Sequence, residues 1–264
     1  MKKISCLSSR FTHIDLALVL TVFLSLNLAV ICNARAEVPE TGRRQELAFS
    51  SDAVNLRAES RYHEILADYA KKKILDDDKL TLQRVKRITS SLYMAAVVLS
   101  PKTVNWHWEI HTTSDPGVEA YCMAGGKLLV GSKFVNALRL SDGELATLIG
   151  HEMAHAVAEH HRETFSEALL INPHPSNTLD RIMVRMDMDL SLQLKLSNLS
   201  NLQEAEADRL GMLLAKKAGW ASADMVSFFK KLSKAEAAPS LNNSHPSSSS
   251  RLDMARQLAA TFSR

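Results

Sequence analysis

Residues 151–155 of this 264-residue sequence read His-Glu-Met-Ala-His, a set of residue types at a spacing suited to chemistry. On an α-helix, residues four apart are separated by about 40° in projection, so His151 and His155 point the same way and can share one metal ion. Glu152 is turned about 100° from His151, which sets its carboxylate beside such an ion rather than on it. Zinc hydrolysis uses that arrangement. The ion acidifies a bound water and polarises a carbonyl, while the carboxylate takes the water's proton and passes it to the leaving group. Two histidines are one short of the three protein ligands a catalytic zinc holds, so a third comes from elsewhere in the chain.

Two residues compete for that place. His161 follows His155 by six positions, as in the metzincin pattern HExxHxxGxxH, but Ala158 stands where that pattern has the glycine that breaks the helix. On an unbroken helix His161 is rotated about 240° from His155 and cannot reach the ion. Glu204 lies in Glu204-Ala205-Glu206-Ala207-Asp208. Glu204 and Asp208 are four apart and share a helical face, so one can bind the metal while the other accepts the spare ring N–H of a ligand histidine. Helical geometry turns His161 away, and Glu204 is the favoured third ligand.

The elements that position these residues are mostly helical. Residues 43–97 carry apolar positions at helical spacing (Leu66, Tyr69, Ile74, then Val85, Ile88, Leu92), which predicts two helices broken near Asp76–Asp78. Pro101 ends that stretch. Strands are expected over Asn105–Thr112 and Lys127–Val130, with turn residues at Asp115-Pro116-Gly117 and Gly125-Gly126. Ser141 with Glu144 forms a capping-box pattern opening a helix that runs through the HEMAH segment to about Glu167. Pro173 and Pro175 then interrupt the chain. Ile182–Leu196 alternates Met and Leu with charged residues, fitting either an amphipathic cover for the core or a lid or membrane-facing flap. Further helices are expected over Leu202–Lys217, Ser222–Lys234 and from about Arg251, with a Ser/Asn-rich loop at Pro239–Ser250.

The amino terminus has the character of a secretory signal. Lys2, Lys3 and Arg10 precede an apolar run from Leu16 to Ile31, and Ala34-Arg35-Ala36 offers a cleavage site. Residues 1–36 are accordingly expected to be a signal peptide and 37–264 one domain, exported to the periplasm; an uncleaved segment would tether the domain to the inner membrane. Ile31 before Cys32 argues against lipidation. The net charge of +3 comes from that segment: without its four basic residues and one acid, 28 of each remain. No one-sided basic stripe is present, which excludes nucleic acid as a partner. Cys122 would be the lone cysteine of the mature domain, a small buried hydrophobe.

HExxH followed by ExEAD on a later helix resembles the HtpX/BepA-like zinc metallopeptidases, relatives of the CAAX prenyl endopeptidase. The resemblance extends to Ala120-Tyr121, to Gly125-Gly126-Lys127-Leu128-Leu129-Val130, and to His245-Pro246-Ser247-Ser248 with Arg251. It covers roughly residues 85–262. Glu119, Ala124 and Asn201 depart from the family pattern. The resemblance implies an α+β, mainly helical, zincin (gluzincin-like) domain with a small β-sheet beside the HExxH helix. It also implies one Zn2+ per chain on His151, His155 and Glu204, with Glu152 as general base and Asp208 behind the ligands. The segment Gly126, Lys127, Leu128 and Leu129 would serve as an edge strand pairing with an extended substrate. His245 would fold back toward the cleft, either donating to the oxyanion or blocking the metal's fourth position. The function implied is an envelope endopeptidase that degrades unfolded or misassembled polypeptides; the competing reading is a gated, chaperone-like protein that binds such clients with little turnover. Oligomeric state is left open.

Overall fold

The computed structural model describes residues 34–174, 176–236 and 249–262. The expected signal segment before residue 34 and His245 both lie outside the described residues.

The described chain opens with an antiparallel hairpin, β1 (Ala34–Glu37) and β2 (Arg44–Leu47). In β2, Gln45 and Leu47 are buried while Arg44 and Glu46 face out, the alternation of a strand with one covered face. Ala34, Arg35 and Ala36, the expected cleavage site, form three of the four residues of β1 and stand opposite Leu47, Glu46 and Gln45. Helices α1 (Ser51–Lys71) and α2 (Lys79–Leu99) follow, broken at 72–78 as the sequence predicts. Each starts on a side-chain cap, Ser50 accepting from Ala53 N–H and Asp78 from Thr81 N–H. Buried Val54, Ala58, Tyr62 and Leu66 line one face of α1 at four-residue spacing.

A 3-10 turn at Pro101–Asn105 consumes the start of the expected first strand, so β3 runs only over Glu109–Thr113. With β4 (Ala120–Met123) and β5 (Lys127–Gly131) it makes a sheet of order β3-β5-β4, parallel between β3 and β5 and antiparallel between β5 and β4. A short α3 (Ser132–Ala137) leads to α4 (Asp142–Val157). The expected helix to Glu167 is in fact two. Glu159 adopts φ 55° and the chain restarts as α5 (His160–Ile171). Then come α6 (Leu179–Met188), α7 (Leu190–Lys217), α8 (Ser222–Glu236) and α9 (Ser249–Thr261). Helix α7 begins twelve residues earlier than its apolar spacing suggests, capped by Asp189, whose side chain accepts from Leu192 N–H. The architecture is α+β and mainly helical, as expected.

Helix α4 is buried on every side, packed against α2, α7, α8 and β4. Its tightest neighbour is α7. A Cβ on Gly150 would lie 2.7 Å from the Gly211 carbonyl oxygen, and one on Gly211 would lie 2.5 Å from the His151 nitrogen. The two helices therefore cross with their backbones in direct contact, at the step before the first histidine. The segment Ile182–Leu196 covers a second apolar cluster through Ile182, Leu192 and Leu196, and leaves Val184, Met188, Leu190 and Leu194 exposed. Among the described residues no helix is long and apolar enough to cross a membrane.

Candidate metal centre

The capping box at the start of α4 is present in both halves: Glu144 N–H donates to Ser141 Oγ (3.2 Å), and Ser141 N–H donates to Glu144 Oε2 (2.7 Å). A cap of this kind contributes about 1 kcal/mol and pins where the helix begins. Two turns on, the Nε2 atoms of His151 and His155 face each other at 3.2 Å. Glu204, reaching across from α7, brings Oε2 to 3.5 Å from His151 Nε2 and Oε1 to 3.4 Å from His155 Nε2. These three residues form a group whose ligand atoms all lie within 4.8 Å of one another. Bonds of about 2.0–2.1 Å to a tetrahedral ion place the ligand atoms roughly 3.3 Å apart, and the three separations match that edge. Two neutral nitrogens and one carboxylate oxygen are also the donor set of a catalytic site with an open position.

Behind each histidine stands a chain of polar groups. His151 Nδ1 is 2.9 Å from Asp208 Oδ1. Asp208 in turn accepts two hydrogen bonds from Arg251 of α9, Nε at 2.8 Å and Nη2 at 2.7 Å. His155 Nδ1 is 3.1 Å from His160 Nδ1, and His160 Nε2 is 3.3 Å from Glu206 Oε2. Burial depresses the imidazolium of His151, but Asp208 and Glu204 outweigh it and lift its pKa to about 10. His155 goes the other way: burial dominates and pushes it down to about 3, so its imidazole is neutral at any working pH. Glu152 is 4% exposed, close enough to His151 to favour its charged form, and lines a small enclosed pocket with Glu119, His151 and Arg251. Cys122 is a buried free thiol, and burial raises its pKa, with Glu152 adding to the effect, so it stays protonated and inert.

The structure thus brings together His151, Glu152, His155, Glu204 and Asp208, all named from sequence. It does not place the expected substrate strand where sequence put it. Gly126, Lys127, Leu128 and Leu129 belong to, or lead into, the central strand β5, whose two edges are taken by β3 and β4. Leu128 and Leu129 are fully buried, and Lys127 turns its ammonium to Glu59 (2.8 Å) and the His107 carbonyl (2.9 Å). An extended peptide has no backbone there to pair with. The edge beside α4 is β4. Gly131 N–H donates to the Glu119 carbonyl and Gly126 N–H to the Met123 carbonyl, so the alternation of an antiparallel pair turns the backbone groups of Ala120 and Cys122 away from β5. A second carboxylate–histidine group, Glu59, His63 and Glu109, is already filled by a cation, the ammonium of Lys127.

His160 escaped the sequence reading, as did Arg43 behind it. The αL residue at Glu159 re-phases the chain after α4, so that His160 rather than His161 turns to His155. No glycine marks the break, and five-residue spacing from His155 carries no helical signal.

A model of Peptidase family M48 matches residues 80–259. The mitochondrial metalloendopeptidase OMA1 of Arabidopsis thaliana is 30% identical over 57% of this chain and 31% of its own length. OMA1 of Schizosaccharomyces pombe is 26% identical over 81% of this chain and 64% of that protein. The metalloprotease LoiP of Escherichia coli is 27% identical over 66% of this chain and 72% of LoiP. The chain spans less than two thirds of the length of these mitochondrial relatives.

Proposed function

The chain belongs to peptidase family M48, and we propose that it is a metalloendopeptidase that uses zinc to degrade misfolded or misassembled polypeptides in a bacterial envelope. The observation that carries the zinc assignment is the buried triangle of His151, His155 and Glu204 with Glu152 one residue from the first ligand. When bound, the ion supplies Lewis-acid polarisation of the scissile carbonyl and acidifies the attacking water. Glu152 takes that water's proton and delivers it to the leaving amine. Asp208 holds His151 with its Nδ1 protonated and its Nε2 lone pair aimed into the site, and Arg251 holds Asp208.

The substrate backbone pairs with the outer edge of β4, through Ala120 and Cys122, rather than with β5. Main-chain pairing reads little side-chain identity, which suits clearance of unfolded clients. The envelope location rests on the amino-terminal sequence, with its basic start, apolar run and Ala34-Arg35-Ala36.

Glu152→Gln is the direct test. It is expected to retain one zinc per chain while hydrolysis of unfolded casein falls by about 10²–10⁴-fold, the contribution of a general base. Near wild-type cleavage by the variant removes Glu152 from the chemistry. Wild-type protein that binds casein tightly, holds zinc and still does not cleave it points to the client-holding role instead.

A further inference from the structure

His155 is supported differently from His151. A neutral imidazole that offers Nε2 to a metal carries its proton on Nδ1, and here that N–H faces His160 Nδ1 at 3.1 Å. His160 must then accept at Nδ1 and carry its own proton on Nε2, which is fully buried and faces Glu206 Oε2 at 3.3 Å. This arrangement of protons turns each N–H of the row toward an acceptor and leaves the His155 lone pair for the ion.

Glu206 does not hold itself in place. Arg43, in the turn entering β2, donates from Nε to Glu206 Oε1 and from Nη2 to Glu206 Oε2, both at 2.8 Å. The same guanidinium donates from Nη2 to Glu163 Oε2 at 2.8 Å, and Thr41 adds a hydroxyl at 3.3 Å from Glu206 Oε1. Glu163 is also held by Gln45 of β2 and Gln203 of α7, at 3.0 and 2.9 Å. Glu206 and Glu163 are each 5% exposed, and Arg43 is the cation that bridges them. Removing it leaves two buried carboxylates facing each other, and like charges in a desolvated site repel strongly.

We propose that His160, Glu206 and Arg43 are positioning residues for His155, so that the amino-terminal hairpin is a working part of the metal centre. This rests on the metal reading of His151, His155 and Glu204. The family match begins at residue 80 and leaves Arg43 outside it, whereas Asp208 and Arg251, which serve His151, lie within. Each metal histidine is thereby tied through a carboxylate to an arginine from an opposite end of the described chain.

The test measures zinc affinity of the full chain by competition with a chromophoric chelator, alongside Tm of the metal-free protein. His160→Leu is expected to weaken zinc binding about 10–100-fold, the range for loss of a group that supports a ligand, and His160→Gln, which restores an acceptor for His155 and a donor for Glu206, is expected to recover most of it. Arg43→Ala is expected to weaken zinc binding in the wild-type background but to add little on top of His160→Leu, because it acts through His160. Should Arg43→Ala fail to fold, Arg43→Lys replaces it, since lysine keeps the charge but not the two-point grip on Glu206. Arg43 variants that lower Tm while leaving zinc affinity unchanged overturn the proposal, as does an undiminished Arg43 effect in the His160→Leu background. Wild-type protein that binds no zinc instead refutes the metal reading beneath it.

Discussion

Gly211→Ala isolates the contact on which the metal centre is built. The added methyl would sit 2.5 Å from His151 N, 2.6 Å from His151 Cα and 2.8 Å from Gly150 C, all backbone atoms of α4 that cannot rotate away. Ordinary contact begins near 3.4 Å, so α4 and α7 must separate by somewhat under 1 Å. Ligand distances in a metal site tolerate only about 0.2 Å, and α7 carries Glu204 while α4 carries both histidines. A misplacement approaching 1 Å in a catalytic constellation costs about 10²-fold in rate. Overpacking a core adds roughly 1–3 kcal/mol of destabilisation. The sign is informative, because alanine in an unconstrained helix is favoured over glycine by about 0.5–1 kcal/mol. We expect Gly211→Ala to lower Tm, weaken zinc binding in chelator competition, and cut casein hydrolysis about a hundredfold. Gly150→Ala, with its methyl 2.7 Å from the Gly211 carbonyl oxygen, should act alike. A Gly211→Ala protein that is more stable than wild type and keeps full zinc affinity refutes the reasoning.

Glu204→Ala should lose zinc by more than about a hundredfold, beyond what loss of a supporting residue costs, while His161→Ala keeps it; metal analysis of the two proteins decides between them. Zinc uptake should release at least one proton per chain between pH 6 and 9, with more where the water bound to the ion also ionises. The pKa of about 10 at His151 means that the metal-free site carries a proton there, which the ion must displace. Apparent affinity should then rise about tenfold or more per pH unit across that range, and a flat profile would show His151 already deprotonated. Cleavage after Ala36 should leave Glu37 as the first residue of the exported protein and take Ala34–Ala36 out of β1. Intact-mass measurement checks it, and a mass that includes Ala34–Ala36 places β1 in the mature fold.

Sequence alone determined what depends on neighbours within about one helical turn. The four-residue spacing of His151 and His155 needs only a helix, and Ser141 with Glu144 announces that helix and caps it in the structure. The same arithmetic set Glu204 and Asp208 on one face; the family resemblance gave Glu204 to the metal and Asp208 to the support of His151, and the structure places them at the two nitrogens of His151. Tertiary structure decided the rest, because the deciding contacts are remote. Whether β5 is an edge or a centre depends on where β3 and β4 dock, and its apolar run Leu128-Leu129-Val130 does not say which strands flank it. The break at Glu159 has no glycine to announce it; a left-handed residue there is held by what surrounds it, including Lys102 and Arg162 on its carboxylate. Arg43 reaches Glu206 across 163 residues, and Gly150 meets Gly211 only because two helices cross at that step. Local rules carry no information over such separations, since only the folded chain brings these groups within reach of each other.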